Sequence, residues 1–330
     1  MKVTVADLVV LLFFVTCVDA WPQGADCTRV GDYQEHAPLT EAVCHLRCLS
    51  DALNKLYSEG EKKLLVTEEV YANASRILDD MEGRTGASLK YLSVIRGVME
   101  RGHDKLEKLI SCGNKMGDLL TKAGGLFAAL EDSVKEVRKE IPGALIKTNK
   151  YYTSVAEITR TVWEDVGEIL YGDREGRRYC NTSKVEGVGE FETECGPHTC
   201  PFASKVDAAA LNKYKGNCLY VGSNGYVREC YHRPRNSLYV HGPVNTLGDA
   251  LEWEENWSGY LGFELTVKVE KIFGPLIASF DVGIAPSTLA EMINNITSLQ
   301  SRFNEVHSNF TSLLLTTKLK TEVYNTDSTI

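Results

Sequence analysis

The chain has 330 residues, 43% of them hydrophobic and 25% charged, which suits one large globular domain or two modest ones. With 36 Lys and Arg against 45 Asp and Glu, its formal net charge is −9. That balance argues against nucleic acid or an anionic membrane as the main partner, because both reward clustered cations. The short basic stretches at Arg174–Arg178 and Arg228–Arg235 are interrupted by acidic residues and read as solvated loops.

The first 20 residues read as a signal peptide. Lys2 is the weak positive start, Leu8–Val15 a short apolar core, and Val18-Asp19-Ala20 places small residues where a signal peptidase reads them. The apolar run is too short to span a bilayer. Cleavage before Trp21 removes Lys2, Asp7 and Asp19 and takes the net charge to −8. It also removes Cys17, leaving Cys27, Cys44, Cys48, Cys112, Cys180, Cys195, Cys200, Cys218 and Cys230. Export implies an oxidising compartment, so these are disulfide candidates. Their odd number leaves one thiol free, paired with another chain, or paired beyond residue 330. Sequons at Asn73, Asn181, Asn256, Asn295 and Asn309 agree with export as glycosylation candidates.

Residues 21–37 are short and polar and read as a tethered N-terminal arm. From Leu39 an apolar repeat steps in fours and threes through Val43, Leu46, Ser50, Leu53, Tyr57, Gly60, Leu64, Thr67, Tyr71, Ala74, Leu78 and Met81. It resumes at Leu92, Ile95, Met99, Leu106 and Leu109, and no proline interrupts Leu39–Ile141. A 3.5-residue period held this long predicts long helices packed along a seam over residues 38–171. Cys44 and Cys48, at i and i+4, share a helix face, where two separate disulfides pin the arm or a later loop to the helix. Glu82-Gly83-Arg84-Thr85-Gly86 is one plausible reversal into a second helix, and Cys112-Gly113-Asn114 is its rival. The repeat continues through Met116, Leu120, Ala123, Phe127, Leu130, Val134, Val137 and Ile141. Pro142-Gly143 should then kink or end the helix, and Val155, Ile158, Val162, Val166 and Ile169 carry a helical pattern to Tyr171.

Composition changes at Gly172. Residues 172–285 are expected to form a cysteine-rich, partly β head inserted between bundle helices. Within it, Cys218–Cys230 reads as a β-hairpin about Gly222-Ser-Asn-Gly225, its two cysteines bridging the turn or bonding elsewhere. Ser237-Leu-Tyr-Val suggests a further strand, and Phe263, Leu265, Val267 and Val269 alternate as a half-buried strand does. Trp253 and Trp257, four apart, would share a helix face, and with Tyr260 they form either a packed core group or an exposed anchor for a protein partner. Pro286, with Thr288 and Glu291 at capping-box spacing, opens a closing helix over 286–320. Its seam is Leu289, Ile293, Ile296, Phe303, Val306, Phe310, Leu314 and Thr317, followed by a polar tail at 321–330. The fold class is therefore mainly α: an elongated antiparallel bundle of long helices with a cysteine-rich, partly β insert as a head. The seam serves an intrachain bundle or a dimer equally well.

Catalytic signatures are missing. There is no nucleophile elbow, Walker loop, dinucleotide fingerprint or zincin helix, and Gly187-Val-Gly189-Glu lacks the third glycine. The histidines at 36, 45, 103, 198, 232, 241 and 307 are scattered. Cys195-Gly-Pro-His198-Thr-Cys200 and Cys44-His45-Leu-Arg-Cys48 match no zinc ribbon or finger, and export favours their oxidation. The expectation is a non-enzyme without metal or cofactor.

Signal peptide, CxxxC opening, two heptad helices, cysteine-rich insert and glycosylated closing helix together resemble trypanosome surface receptors, specifically the invariant surface glycoprotein family. The segments Leu39-Thr-Glu-Ala-Val-Cys44-His-Leu-Arg-Cys48-Leu and Cys195–Pro201 carry this resemblance, which spans about residues 38–320. It implies an elongated ectodomain at a parasite surface that binds a host serum protein, of the complement or immunoglobulin class, in immune evasion. A nutrient receptor for a host carrier protein and a structural coat glycoprotein are the alternatives. The family adds a membrane span and short cytoplasmic tail, so anchorage here requires the chain to continue past Ile330. Without an anchor it is secreted.

Overall fold

The computed structural model describes residues 27–30, 39–98, 103–174, 200–222, 236–256 and 262–326. Two helices dominate: α1 (Leu39–Val98) and α2 (His103–Arg174). After them come the single turn α3 (Ala208–Leu211), α4 (Asn236–Leu247), α5 (Val269–Phe280) and α6 (Pro286–Thr326). A small mixed sheet holds β1 (Thr28–Val30), β2 (Leu219–Gly222), β3 (Leu251–Asn256) and β4 (Gly262–Val267) in the order β1-β2-β4-β3. The protein is mainly α, with long packed helices and one small sheet. It divides into two compact units, 1–57 with 146–278 and 58–145 with 279–330.

The second unit is a three-helix bundle. Glu68 meets Arg138, Tyr71 stacks on Phe127 and Leu92 lies against Gly113, so partner numbers on α2 fall as those on α1 rise and the two helices run antiparallel. Lys63 bonds the Phe280 carbonyl and Arg84 bonds Asn304, so α6 runs parallel to α1. The seam read from sequence is the bundle's interior. Ala74, Met81, Leu109, Met116, Ala123, Leu130, Val134, Leu289, Ile296, Phe303 and Phe310 form its core. In this unit the seam is buried within one chain.

Two hydroxyls in this helical interior bond back to carbonyls one turn earlier, Thr85 to Met81 and Ser88 to Arg84, so the burial of these two leaves no donor unsatisfied, whereas the buried Thr67 Oγ1 has no such partner. On the outer α1–α2 groove, the Arg138 guanidinium donates to both Glu68 carboxylate oxygens (2.6 and 2.7 Å) and lies over the Tyr71 ring. Both partners are substantially exposed, so solvent screening leaves the pair little net stabilisation. Its geometry sets rotation and register instead.

The turn between α5 and α6 is clamped onto the bundle. Gly283 (φ +76°) donates to Glu136 Oε2 and Ile284 N–H donates to Ser133 Oγ. Lys63 Nζ caps the Phe280 carbonyl, and the Phe280 ring rests on Gly60. Burial depresses the Lys63 pKa, and Asp281 and Glu136 partly restore it. Gly60 thus occupies a seam position because an aromatic ring needs the space.

Several sequence expectations need correction. Both candidate reversals, Glu82–Gly86 and Cys112–Asn114, lie inside continuous helix, and the chain reverses between Val98 and His103. Gly83 and Gly86 have helical geometry and open space beside them. Pro142 does not end α2: it sits on the exposed side, where water can satisfy the carbonyl that lost its donor. The Ser237–Val240 stretch is helical, within α4, and Val269 begins α5. β2 pairs with β1 and β4, and the second arm of the expected Cys218–Cys230 hairpin lies outside the described residues. Among the described residues, β3 and β4 form an antiparallel pair. Trp253 lies in β3, so it shares no helix face with Trp257. The closing helix continues to Thr326.

Two kinds of glycine should separate in denaturant melts. Gly83→Ala and Gly86→Ala should each stabilise by up to about 1 kcal/mol, because exposed helical glycine carries only an entropic cost. Gly283→Ala should destabilise by about 1–3 kcal/mol, since its Cβ would stand 2.6 Å from Val137 Cγ2 on a left-handed backbone. A neutral Gly283→Ala would show that the clamp does not constrain this turn.

Candidate functional site

The first unit is built around the sheet, and disulfides set its register. β1 and β2 pair in parallel, an arrangement that no short turn can produce. Cys27 and Cys218, each immediately before its strand, are bonded to one another across a separation of 191 residues. Thr28 N–H donates to the Cys218 carbonyl and Thr28 Oγ1 accepts from Lys215 N–H, so the register is fixed by covalent and polar contacts together. The i, i+4 cysteines of α1 are not joined to each other. Cys48 bonds Cys200, and Cys44 is disulfide-bonded as well. Cys112 is free and half-buried, while Cys180, Cys195 and Cys230 lie outside the described residues.

Around Cys200 the packing is aromatic. Phe202 lies 4.4 Å from Phe273 and 5.4 Å from Tyr214, ring centre to ring centre. The Tyr214 hydroxyl reaches Cys200 Sγ at 3.6 Å and must be the donor, because a disulfide sulfur carries no proton. Burial pushes the Tyr214 pKa well up, so it stays a neutral donor at any physiological pH. Lys55 of α1 caps the Ser204 carbonyl at 2.8 Å. These contacts hold the 200–222 segment on the helix.

The sheet separates two kinds of surface. Leu219, Val221, Leu251, Leu265 and Val267 are buried on one face. Alternation puts Arg29, Tyr220, Thr266 and Glu252 on the other, and the register aligns them as one row across all four strands. The Arg29 guanidinium lies 5.3 Å from the Tyr220 ring centre, and Lys268 pairs with Glu252. Thr266 is buried in this row, while Arg29, Tyr220 and Glu252 are half-buried and leave a cation, an aromatic ring and an ion pair partly open to solvent. Among the described residues, no group of three or more His, Cys, Asp or Glu could hold a metal ion. Sequence reasoning missed this row. The alternation in Leu219–Gly222 and Gly262–Val267 was its visible signal, but the alignment of β1 with β2 was not local.

Trp253 is half-buried and shares its face with Leu251 and Leu265, the core side of the sheet. Trp257 and Tyr260 lie outside the described residues. Of the sequon asparagines, Asn295 and Asn309 are exposed on α6, whereas Asn73 is half-buried and accepts a bond from Arg76. Asn256 ends β3, and Asn181 lies outside the described residues. No helix among the described residues is long and apolar enough to cross a membrane.

A helical bundle joined to a disulfide-braced α/β unit, with no metal cluster among the described residues, defines a class of helical, disulfide-stabilised protein. The ESAG1 family model, described as ESAG protein, matches residues 99–329. VSG expression site-associated protein 221A of Trypanosoma brucei brucei is 81% identical over 331 aligned residues, covering 100% of both chains. VSG expression site-associated protein 117A of the same organism is 57% identical with the same coverage. The chain belongs to the ESAG1 family. The resemblance to trypanosome proteins was therefore correct at the level of organism, but the matching family is ESAG1 and not the invariant surface glycoproteins.

Two solved structures are similar at low scores. The haptoglobin-hemoglobin receptor of Trypanosoma congolense gives a TM-score of 0.46 at 10% identity, covering 87% of this chain and 97% of that one. The Trypanosoma brucei factor H receptor, bound to domain D5 of bovine factor H, gives 0.29 at 12% identity, covering 81% and 97%. Neither score assigns a ligand to this chain.

His45 supplies a pH test for the first unit. It is buried on α1, and desolvation lowers its pKa, with Glu41 3.9 Å away. A folded-state pKa below the ordinary value of about 6.5 means the unfolded chain binds the proton more readily. Its contribution is therefore complete above about pH 6.5 and is lost as pH falls toward the folded value. Unfolding midpoints from pH 7.5 to 5 should decline for the parent and flatten for His45→Gln. Separately, Cys27→Ser with Cys218→Ser should cost about 2–5 kcal/mol, read by thermal unfolding beside the parent protein under non-reducing conditions.

Proposed function

We propose that this chain is the ectodomain of a parasite cell-surface glycoprotein that binds a host serum protein, of the complement or immunoglobulin class, in immune evasion. The carrying observation is the disulfide bracing of the first unit, Cys27–Cys218 and Cys48–Cys200 with Cys44 also bonded, which requires an oxidising compartment. The leader-like Leu8–Val15 run and the exposed sequon asparagines Asn295 and Asn309 support the same route. Membership of a trypanosome family supports a parasite origin. The arginine–tyrosine row supports a binding role over a catalytic one, because it offers recognition groups without a nucleophile–base pair.

The test passes mammalian host serum over immobilised, secreted residues 21–330 and identifies what is retained. Saturable retention of a complement or immunoglobulin component is the expected result. A haem- or metal-loaded carrier would instead make the protein a nutrient receptor. If nothing is retained saturably, both receptor readings fail and a coat role is left. Treating the secreted protein with peptide-N-glycosidase should lower its mass through loss of glycans at Asn295 and Asn309. An unchanged mass would refute the glycoprotein assignment.

A further inference from the structure

Elimination narrows the partner of Cys44. Cys27 and Cys218 hold one another, Cys48 holds Cys200, and Cys112 is free, yet Cys44 is disulfide-bonded. Once Cys17 leaves with the leader, three cysteines remain: Cys180, Cys195 and Cys230. All three lie outside the described residues, so the direction and reach of the chain decide among them.

Contacts on α1 set the direction. Cys200 is bonded to Cys48, and four residues later the Ser204 carbonyl accepts from Lys55, seven residues further along α1. As it leaves Cys200, the chain therefore advances along α1 in the helix's own direction. Continued backward past Cys200, that direction leads to Cys44, which stands one turn and about 6 Å before Cys48 on the same helix face.

Reach points the same way. The Cys48 and Cys200 Cα atoms are 6.3 Å apart. Two such bridges side by side on one helix face need partners whose Cα atoms are about 6–12 Å apart. Cys195 precedes Cys200 by five residues, which extend to about 17 Å at most. Between them Gly196-Pro197 is a turn signal that shortens the step. Cys180 and Cys230 are 20 and 30 residues from Cys200. With Cys200 already tethered, loop-closure entropy favours the five-residue ring over the 20-residue one by about eightfold.

We infer that Cys44 is bonded to Cys195, so that two bridges one helical turn apart fasten residues 195–200 to α1. This rests on the secretory route proposed above, which supplies the oxidant. Forming the bond removes two electrons and two protons from the two thiols. An oxidised protein dithiol of that compartment takes them, its own disulfide becoming two thiols. One bridge leaves a chain free to swivel about it, whereas two fix its orientation. The pair thereby aims the 200–222 segment, with Phe202, Tyr214 and β2, toward the place where it packs. Cys180 and Cys230 are left for one another, and Cys112 is the ninth, unpaired thiol.

The experiment maps the bonds of the secreted protein, stripped of glycans, after its free thiols are blocked with N-ethylmaleimide. Trypsin cuts after Arg47 and leaves Cys195 and Cys200 on one peptide, so residues 30–47, 48–55 and 185–205 should appear as a single three-peptide product. Reduction should separate the three, and in the unreduced parent the blocking group should sit only on residues 109–115, which carry Cys112. Cys195→Ser should raise blocking of 30–47 from none to near completion while 48–55 stays joined to 185–205. Circular dichroism melts establish that the variant is folded, and the parent map stands without it. A product joining 30–47 to 179–184 or to 229–235 would overturn the pairing and leave the secretory route intact. So would a Cys195→Ser variant that frees Cys48 instead, or one that leaves 30–47 unblocked. Blocking groups on all nine cysteines would overturn the pairing and the secretory route together.

Discussion

The 60-residue α1 carries an apolar stripe along its length, and its stability comes chiefly from burying that stripe against neighbours and not from helix propensity. Every other feature of the second unit follows from supplying α1 with equally regular partners. The α2 helix returns along it, α6 comes back beside it, and the heptad spacing keeps each stripe facing inward as the helices wind. Seam positions taken by Thr67, Thr85 and Ser88 show that small size and position count for more there than apolarity. Where a hydroxyl bonds back to its own helix, as Thr85 and Ser88 do, its burial is cheap.

The same rule does not build the first unit, where the β1–β2 pair at one edge of the sheet joins residues separated by more than half of the chain. Parallel pairing of two short strands is weak by itself. The Cys27–Cys218 bond holds the two strand starts together, and Thr28 completes the register with its backbone and its hydroxyl. Fixing that register is also what aligns Arg29, Tyr220, Thr266 and Glu252 in one row. The alignment of that row is thus a consequence of a covalent constraint as much as of strand propensity. In the second unit, the Gly283 turn serves a comparable end by polar contacts alone, holding the entry to α6 on Ser133 and Glu136.

Much of the fold was legible because helical periodicity is a local property repeated many times. Val43, Leu46, Leu53, Met81, Leu109, Met116, Val134, Ile296, Phe303 and Phe310 were all read from spacing and all are buried. The misreadings share one cause. Gly83, Gly86, Gly113 and Pro142 carry local turn signals that neighbouring packing overrides: two of the glycines are simply exposed, Gly113 admits Leu92, and Pro142 points to water. Ser237–Val240 has strand-forming residues but lies in α4, which packs on β3. Trp253 suggested a helix face with Trp257 only because nothing local distinguished a four-residue spacing from a strand.

By itself the sequence determined that the chain is mainly helical, which residues form the seam, and which cysteines are available for pairing. Those properties depend on residue type and on separations of a few positions. Tertiary structure alone decided that Cys27 finds Cys218, that the helices reverse after Val98, and that Arg29 stands beside Tyr220. It also decided that the Phe280 ring rests on Gly60. Each of these joins residues far apart in the chain, and their encounter depends on how whole elements pack, which no local pattern encodes.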